Sequence, residues 1–419
     1  MRVLKKEMVQ VATRSREASR HLAQLTTKQK NKILNDMAKS LRQASTKLMR
    51  ANAQDVTYAR RKGHSEAMID RLTLNKARIA HMAESIEAVA KLPDPIGRVL
   101  SKTTRPNGLK INKVSVPLGV ILIIYEARPN VTTECASLCL KSGNAVILRG
   151  GSETFHSNKA IVETFEKVLK KHKIPTAAIS RIATRDRAAV KVLVQLNNLI
   201  DLVIPRGGYG LIRTVTRLAR IPIVKHDDGI CHVYLDKEAD FKMAIQIAVN
   251  AKCQRPSVCN AMETLLVHEK IAPKLLPCLK KEYDDCRTKL VGCAKTRKIL
   301  KDIPLATEKD WKTEYLDYKL AIRVVKSIDE AIAHINKYGS SHTDSIVTKN
   351  KANAKRFLEM VDSSSVMWNA STRFSDGFEY GFGAEIGIST QKTHARGPMG
   401  LEGLTSYKYI VVGKGQVRR

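Results

Sequence analysis

The chain has 419 residues, of which 43% are hydrophobic, 27% charged and 5% aromatic, and it carries a formal net charge of +33 at pH 7. That composition supports a full core in two or more domains and excludes a disordered chain or a small disulfide-stapled module. The eight cysteines are scattered without a Cys-x-x-Cys pair, so neither a disulfide framework nor a structural metal site is expected.

The first residues, MRVLKKEMVQ, lack the apolar core of a signal peptide, and no run reaches the roughly 20 apolar residues of a membrane span. A reducing, cytoplasmic location is the expectation. The basic residues are spread along helical faces and loops, with few aromatic stacking platforms, which favours anionic small ligands over nucleic acid.

Apolar residues recur at helical spacing over Ser15–Met49 and again over Asp70–Ala90. Lys110–Ile124 is rich in Val and Ile but interrupted by Pro117 and Gly119, so it is expected to leave one sheet and enter another. Strands and helices then alternate: Val120–Tyr125, helix Thr132–Lys141, Ala145–Leu148, helix Asn158–His172, Ala178–Ile182, helix Arg187–Leu196, Leu199–Ile204, helix Tyr209–Leu218, Pro222–Val224. This pattern predicts a parallel sheet with helices on both faces, its ligands beyond the carboxyl ends of the strands.

The alternation restarts after about residue 229. Strands are predicted at Cys231–Leu235, Glu263–His268, Leu320–Val325, Asp344–Val347 and Ser365–Trp368, with helices between them, followed by long polar loops around 369–376, 381–390 and 394–400. The segments 1–228, 229–395 and 396–419 are taken as a cofactor domain, a catalytic domain and a terminal return.

Two predicted strand ends carry glycine turns ahead of a helix: Arg149-Gly150-Gly151-Ser152 and Arg206-Gly207-Gly208. Either alone reads as a tight turn; two in one sheet point to a dinucleotide cradled by backbone N–H groups. Cys259 lies in a polar loop before a strand. A cysteine there is either a small core residue or a nucleophile able to hold an acyl group as a thioester. Arg255 and Lys252 nearby are expected to draw its pKa below the free value of about 8.5.

The runs Val116-Pro-Leu-Gly-Val120, Tyr125-Glu-Ala-Arg-Pro-Asn130, Gly143–Gly151 and Cys259 resemble the aldehyde dehydrogenase superfamily. Within it, Tyr125–Asn130, Ile204–Gly208, Asn369–Phe374 and His394–Gly400 are similar to the branch that reduces γ-glutamyl phosphate in proline biosynthesis. The resemblance spans essentially the whole chain. It implies an α/β fold of the aldehyde dehydrogenase type: two Rossmann-like domains plus a small oligomerisation segment formed by a hairpin at 105–116 and the terminal strand, hence a homo-oligomer.

It also implies Cys259 as nucleophile and Asn130 as oxyanion donor. Arg149, Gly150, Gly151, Ser152, Arg206, Gly207, Gly208 and Glu314 are implied as cofactor contacts, Glu314 being equally readable as a solvated carboxylate. The arginine at 149, where many relatives have lysine, favours the 2′-phosphate of NADPH.

Arg128, Arg255, Arg373, His394 and Arg396 are implied to bind the phosphate and α-carboxylate of L-glutamyl 5-phosphate, with structural loop anchors as the alternative for each. The lability of that acyl phosphate implies functional coupling to a separate glutamate 5-kinase. Hydrolytic relatives carry a glutamate where this chain reads Val224-Lys-His-Asp-Asp-Gly229, so its thioester is not expected to meet a deacylating base, although Asp227 or Asp228 offers a substitute carboxylate. The competing readings are a relative that oxidises or acylates another aldehyde, and a basic nucleic-acid-binding or assembly protein that has kept the fold.

Overall fold

The apolar periodicity of Ser15–Met49 is divided among three helices, Arg2–Leu22, Thr27–Gln43 and Ser45–Arg61, in the computed structural model, which describes residues 2–226 and 228–418. Thr26 sets the first break. Its hydroxyl accepts the Gln29 N–H while the Gln29 carboxamide oxygen accepts the Thr26 N–H, a reciprocal cap that starts a new helix. Asp70–Ala90 is likewise split into Glu66–Leu72 and Lys76–Lys91, the second capped by Asn75 through the Arg78 N–H. Met8, Leu34, Leu41 and Ile86 from these helices are fully buried in the first core.

The chain then forms a hairpin of β1 (Val99–Thr104) and β2 (Lys110–Pro117). It begins earlier than the expected 105–116, because Arg105–Leu109 is the turn: the Arg105 N–H donates to the Leu109 carbonyl at 2.8 Å and Gly108 sits at φ +81°. Four parallel strands follow, β3 (Val120–Tyr125), β4 (Ala145–Arg149), β5 (Ile179–Arg181) and β6 (Leu202–Arg206), in the order β5-β4-β3-β6. Pro222–Val224 contributes only a bridge from Ile223 to Val203.

The change of sheet between β2 and β3 turns on Gly119. Its φ is +124°, and a Cβ there would lie 2.2 Å from an Asp201 carboxylate oxygen that accepts the Val120 N–H at 2.7 Å.

The second sheet is six-stranded and parallel: β7 (Cys231–Leu235), β8 (Met262–His268), β9 (Lys289–Gly292), β10 (Lys319–Val325), β11 (Thr343–Val347) and β12 (Ser365–Trp368), ordered β12-β11-β7-β8-β10-β9. The edge strand β9 is four residues long and has no counterpart among the predicted strands. Two short strands, β13 (Ile388–Ser389) and β14 (Gly397–Pro398), pair with each other. The last, β15 (Thr405–Val412), runs antiparallel to β2 and completes a three-stranded sheet on which Tyr407, Tyr409 and Val411 are exposed.

Between β12 and β15 the chain crosses back. Ala384, Ile386, Met399, Leu401 and Leu404 pack into the first core rather than the second, so the return begins before residue 396. The Asn144 amide donates to the Leu404 carbonyl at 2.9 Å. No described helix is long and apolar enough to cross a membrane. Among the described residues no group of His, Cys, Asp or Glu is arranged to hold a metal ion.

Candidate active site

The register of the first sheet sets Arg149 opposite Ile124 and Arg206 opposite Tyr125, so both arginines leave the carboxyl edge on either side of β3. Beyond that edge Pro129 opens the helix Pro129–Lys141, with Arg128 extended at its N-cap and Asn130 in its first turn. These elements form one wall of a cleft of about 1490 Å³. The other wall is the loop between the helix Phe241–Cys253 and β8, which carries Arg255 and Cys259.

Cys259 is half-buried, and its backbone is seated against Gly229, where a Cβ would lie 2.2 Å from the Cys259 carbonyl oxygen and 2.6 Å from its Cα. The Gly229 backbone also lowers the pKa of Glu314, against the larger effect of burial that raises it, so one residue braces the thiol loop and acts on an acid of the cleft. Beneath the loop, the Cys231 thiol donates to the Cys259 carbonyl at 3.2 Å.

The thiol is not activated at rest. Burial pushes Cys259 up to about 12, with Glu385 and Glu314 raising it and Arg206 and Arg128 lowering it. This corrects the expectation of a depressed pKa. Lys252 turns away into a fully buried ion pair with Glu263 at 2.6 Å, and burial pushes Glu263 up to about 7 even beside that ammonium. Glu263 also accepts the Leu316 N–H at 3.1 Å, fastening the segment that carries Glu314. The rival thiol, Cys253, lies outside the cleft in a separate groove beside Thr288, and burial pushes it up to about 12 as well.

Positive charge converges on Cys259. Burial, with Arg206, Arg71 and Arg255 nearby, brings the Arg128 guanidinium down to about 10. Arg373 donates to Gln254 at 2.8 Å and to Asn260, the residue after Cys259. Arg206 lies 3.9 Å from Glu385 and donates to the Ile386 carbonyl. Asn130 donates its side-chain N–H to Glu134 at 2.8 Å.

At the far end, Arg149 donates to the carbonyls of Gly150 and Arg185, while its buried Nε has no partner within the protein. The Arg185 guanidinium lies 4.5 Å from the Phe155 ring and 5.2 Å from that of Tyr58. Arg187 is exposed on the same rim.

The sequence of this chain matches the model of the aldehyde dehydrogenase family over residues 2–292. It is 54% identical to a gamma-glutamyl phosphate reductase of Carboxydothermus hydrogenoformans over 412 residues, 98% of this chain and 99% of that one. It superposes on the crystal structure of the gamma-glutamyl phosphate reductase of Thermotoga maritima with a TM-score of 0.97 and 48% identity, covering 99% and 100% of the two chains. The chain belongs to the gamma-glutamyl phosphate reductases of the aldehyde dehydrogenase family. An acetylating aldehyde dehydrogenase from Geobacillus thermoglucosidasius, 16% identical with a TM-score of 0.71 over 99% of this chain and 98% of that one, shares the fold.

In this gamma-glutamyl phosphate reductase family member the cleft gathers Cys259, Asn130, Arg149, Gly151, Ser152, Arg206, Gly207, Gly208, Glu314, Arg128, Arg255 and Arg373. It does not gather the other three predicted residues. His394 is exposed and bonds the Gly403 carbonyl at 3.1 Å, Arg396 is paired with Asp362 at 2.9 Å, and Gly150 faces Asn158, whose amide lies 2.1 Å from where a Cβ would be.

Two assignments shift in character. Arg206 sits by the thiol rather than at the Arg149 turn, and Glu126 occupies the space over Gly207 while accepting the Gly208 N–H at 2.9 Å. Asp228 lines the cleft; Asp227 lies outside the described residues. Glu126, Glu134, Arg185, Arg187 and Glu385 also line the cleft. Glu126 lies inside the Tyr125–Asn130 motif and Glu134 four residues beyond it, Glu385 lies in the long polar loop around 381–390, and the two arginines belong to no motif.

Proposed function

We propose that this chain reduces L-glutamyl 5-phosphate to L-glutamate 5-semialdehyde with NADPH, releasing phosphate through a thioester on Cys259. The observation that carries this reading is the convergence of Arg128, Arg206, Arg255 and Arg373 on a seated thiol, in a family whose relatives bear that name. A small dianionic acyl phosphate with an α-carboxylate is the kind of substrate that several guanidinium forks suit.

Cys259 Sγ bonds to the γ-carbonyl carbon as its proton passes to the departing phosphate. The substrate is already an activated acyl group, so a thiol protonated at rest suffices. Asn130 and the Cys259 backbone N–H receive the tetrahedral oxyanion, each such donor being worth about 3 kcal/mol. With hydride and one proton added, the thioester carbon becomes the aldehyde and the thiol is regenerated.

The Arg149–Ser152 turn, Arg185, Arg187 and Glu314 fit a nicotinamide dinucleotide. Arg149 keeps a buried, unpartnered Nε, and Gly151 lines the cleft with the Glu153 carboxylate over it, 2.4 Å from where a Cβ would be. When bound, the nicotinamide supplies the hydride. Arg149, Arg185 and Arg187 would hold a ribose 2′-phosphate, which favours NADPH over NADH, and Glu314 would orient the ribose. We further read the exposed sheet of β1, β2 and β15 as the face through which copies of the chain associate, within the cytoplasm and in functional reach of the kinase that makes the acyl phosphate.

The test is phosphate-dependent NADP+ reduction with glutamate 5-semialdehyde. Cys259→Ala should abolish it and Cys253→Ala should not. Full activity in Cys259→Ala would falsify the mechanism.

A further inference from the structure

We infer that Glu134 is a positioning residue that fixes which end of the Asn130 amide faces the reacting carbonyl. The inference rests on the reading of Asn130 as the oxyanion donor.

The two residues stand one turn apart in the first turns of the helix Pro129–Lys141, and both line the cleft that holds Cys259. Asn130 Nδ2 donates to Glu134 Oε1 at 2.8 Å. The backbone beneath is held as well: Pro129 occupies the first helical position and the Thr133 hydroxyl donates to the Asn130 carbonyl at 2.7 Å.

An asparagine amide has nearly the same shape in its two flipped orientations, but opposite chemistry. One end donates two hydrogens, the other only accepts. A carboxylate is acceptor-only, so it selects the orientation in which NH2 faces Glu134. One hydrogen is taken by that bond and the second remains for the oxyanion. In the flipped orientation Oδ1 would face a carboxylate oxygen and the oxyanion would lose its donor.

The negative charge of Glu134 is not what the site needs. It sits near Glu385 and Arg206, and a charge close to a developing oxyanion opposes it. The useful property is the fixed acceptor. Glu134→Gln, whose carboxamide oxygen can accept the same bond, is therefore the conservative variant that should restore function, and Glu134→Ala the one that should lose it.

The experiment measures kcat and KM of the full-length protein in phosphate-dependent oxidation of glutamate 5-semialdehyde for Glu134→Ala, Glu134→Gln, Asn130→Ala and Asn130→Ala/Glu134→Ala. Melting temperatures are recorded alongside. The expected result is a kcat loss of roughly tenfold in Glu134→Ala with little change in KM, a fraction of the 10²–10³ expected on losing the donor itself. Glu134→Gln should keep wild-type kcat or exceed it. The double variant should match Asn130→Ala alone, because Glu134 acts only through that amide. If Glu134→Ala does not fold, Glu134→Met carries the same prediction.

Wild-type kcat in Glu134→Ala, an equal loss in Glu134→Gln, or additive losses in the double variant would each overturn the inference. A wild-type kcat in Asn130→Ala would instead remove the oxyanion reading on which it rests.

Discussion

Gly229→Ala is the smallest change that should displace Cys259. The backbone φ at Gly229 lies outside the left-handed region, so alanine strains no dihedral there, and the effect is purely one of space. The added Cβ would fall 2.2 Å from the Cys259 carbonyl oxygen and 2.6 Å from its Cα, where ordinary contact begins at 3.4 Å. The obstruction is backbone on both counts and cannot rotate away. The Cys259 loop must retreat by about 1 Å, a displacement that can cost roughly 10²-fold in rate once reacting atoms are misaligned.

The same shift disturbs the Gly229 backbone that acts on the Glu314 carboxylate. KM for the dinucleotide should therefore rise modestly while kcat falls about a hundredfold. Steady-state kinetics, a melting curve and the rate of iodoacetamide labelling at Cys259 separate misplacement from unfolding. A variant with wild-type melting and kcat within about threefold of wild type would show that the loop is not held by this contact.

Labelling of Cys259 by iodoacetamide, followed by mass spectrometry of its peptide, should climb about tenfold per pH unit from pH 7 to 10, because the thiol sits at about 12; a plateau near pH 8 would mean that the arginines prevail over burial. Arg187→Ala and Arg185→Ala should weaken binding of NADP+ by about tenfold or more, read by titration calorimetry, and leave NAD+ nearly unchanged; equal losses for both dinucleotides would place these arginines elsewhere on the cofactor.

His334, packed among Trp311, Tyr338 and His232 with neither ring nitrogen partnered, is held down to about 2 by burial. Its contribution to stability is complete above the unfolded value near 6.5 and is lost as pH falls toward 2, about 2 kcal/mol by pH 5. His334→Phe should remove that loss from urea titrations compared at pH 8 and pH 5, leaving the similar loss from His342, which is held down to about 3. An unchanged pH 5 deficit in the variant would refute the assignment.

Local regularities carried most of the architecture. Val120–Tyr125 reads as a strand because every residue is apolar or aromatic, and the Pro117–Gly119 break announces the change of sheet. The helix breaks at Thr26 and Asn75 were also written in the sequence, as capping residues, but the apolar stripe runs past them and periodicity alone does not stop there. β9 is too short to show alternation, and it is held by pairing with β10 rather than by its own pattern.

At the site, linear motifs pointed to positions but not to side-chain directions. Lys252 is seven residues from Cys259 and turns into Glu263; Arg206 adjoins a glycine turn and turns toward Glu385. Arg185 and Arg187 reach the cleft only because β5 and the loop after it run beside β4, a tertiary fact with no trace in local composition.

The return of residues 384–404 to the first core sets the order in which the protein can be completed during synthesis. Leu404 is fully buried in the first core, and Asn144 waits for the Leu404 carbonyl. The first sheet therefore cannot close its core until almost the whole chain has left the ribosome. The amino-terminal half emerges with apolar surface that stays uncovered while the second sheet is being made, and this gives a nascent chain of this design reason to depend on chaperones.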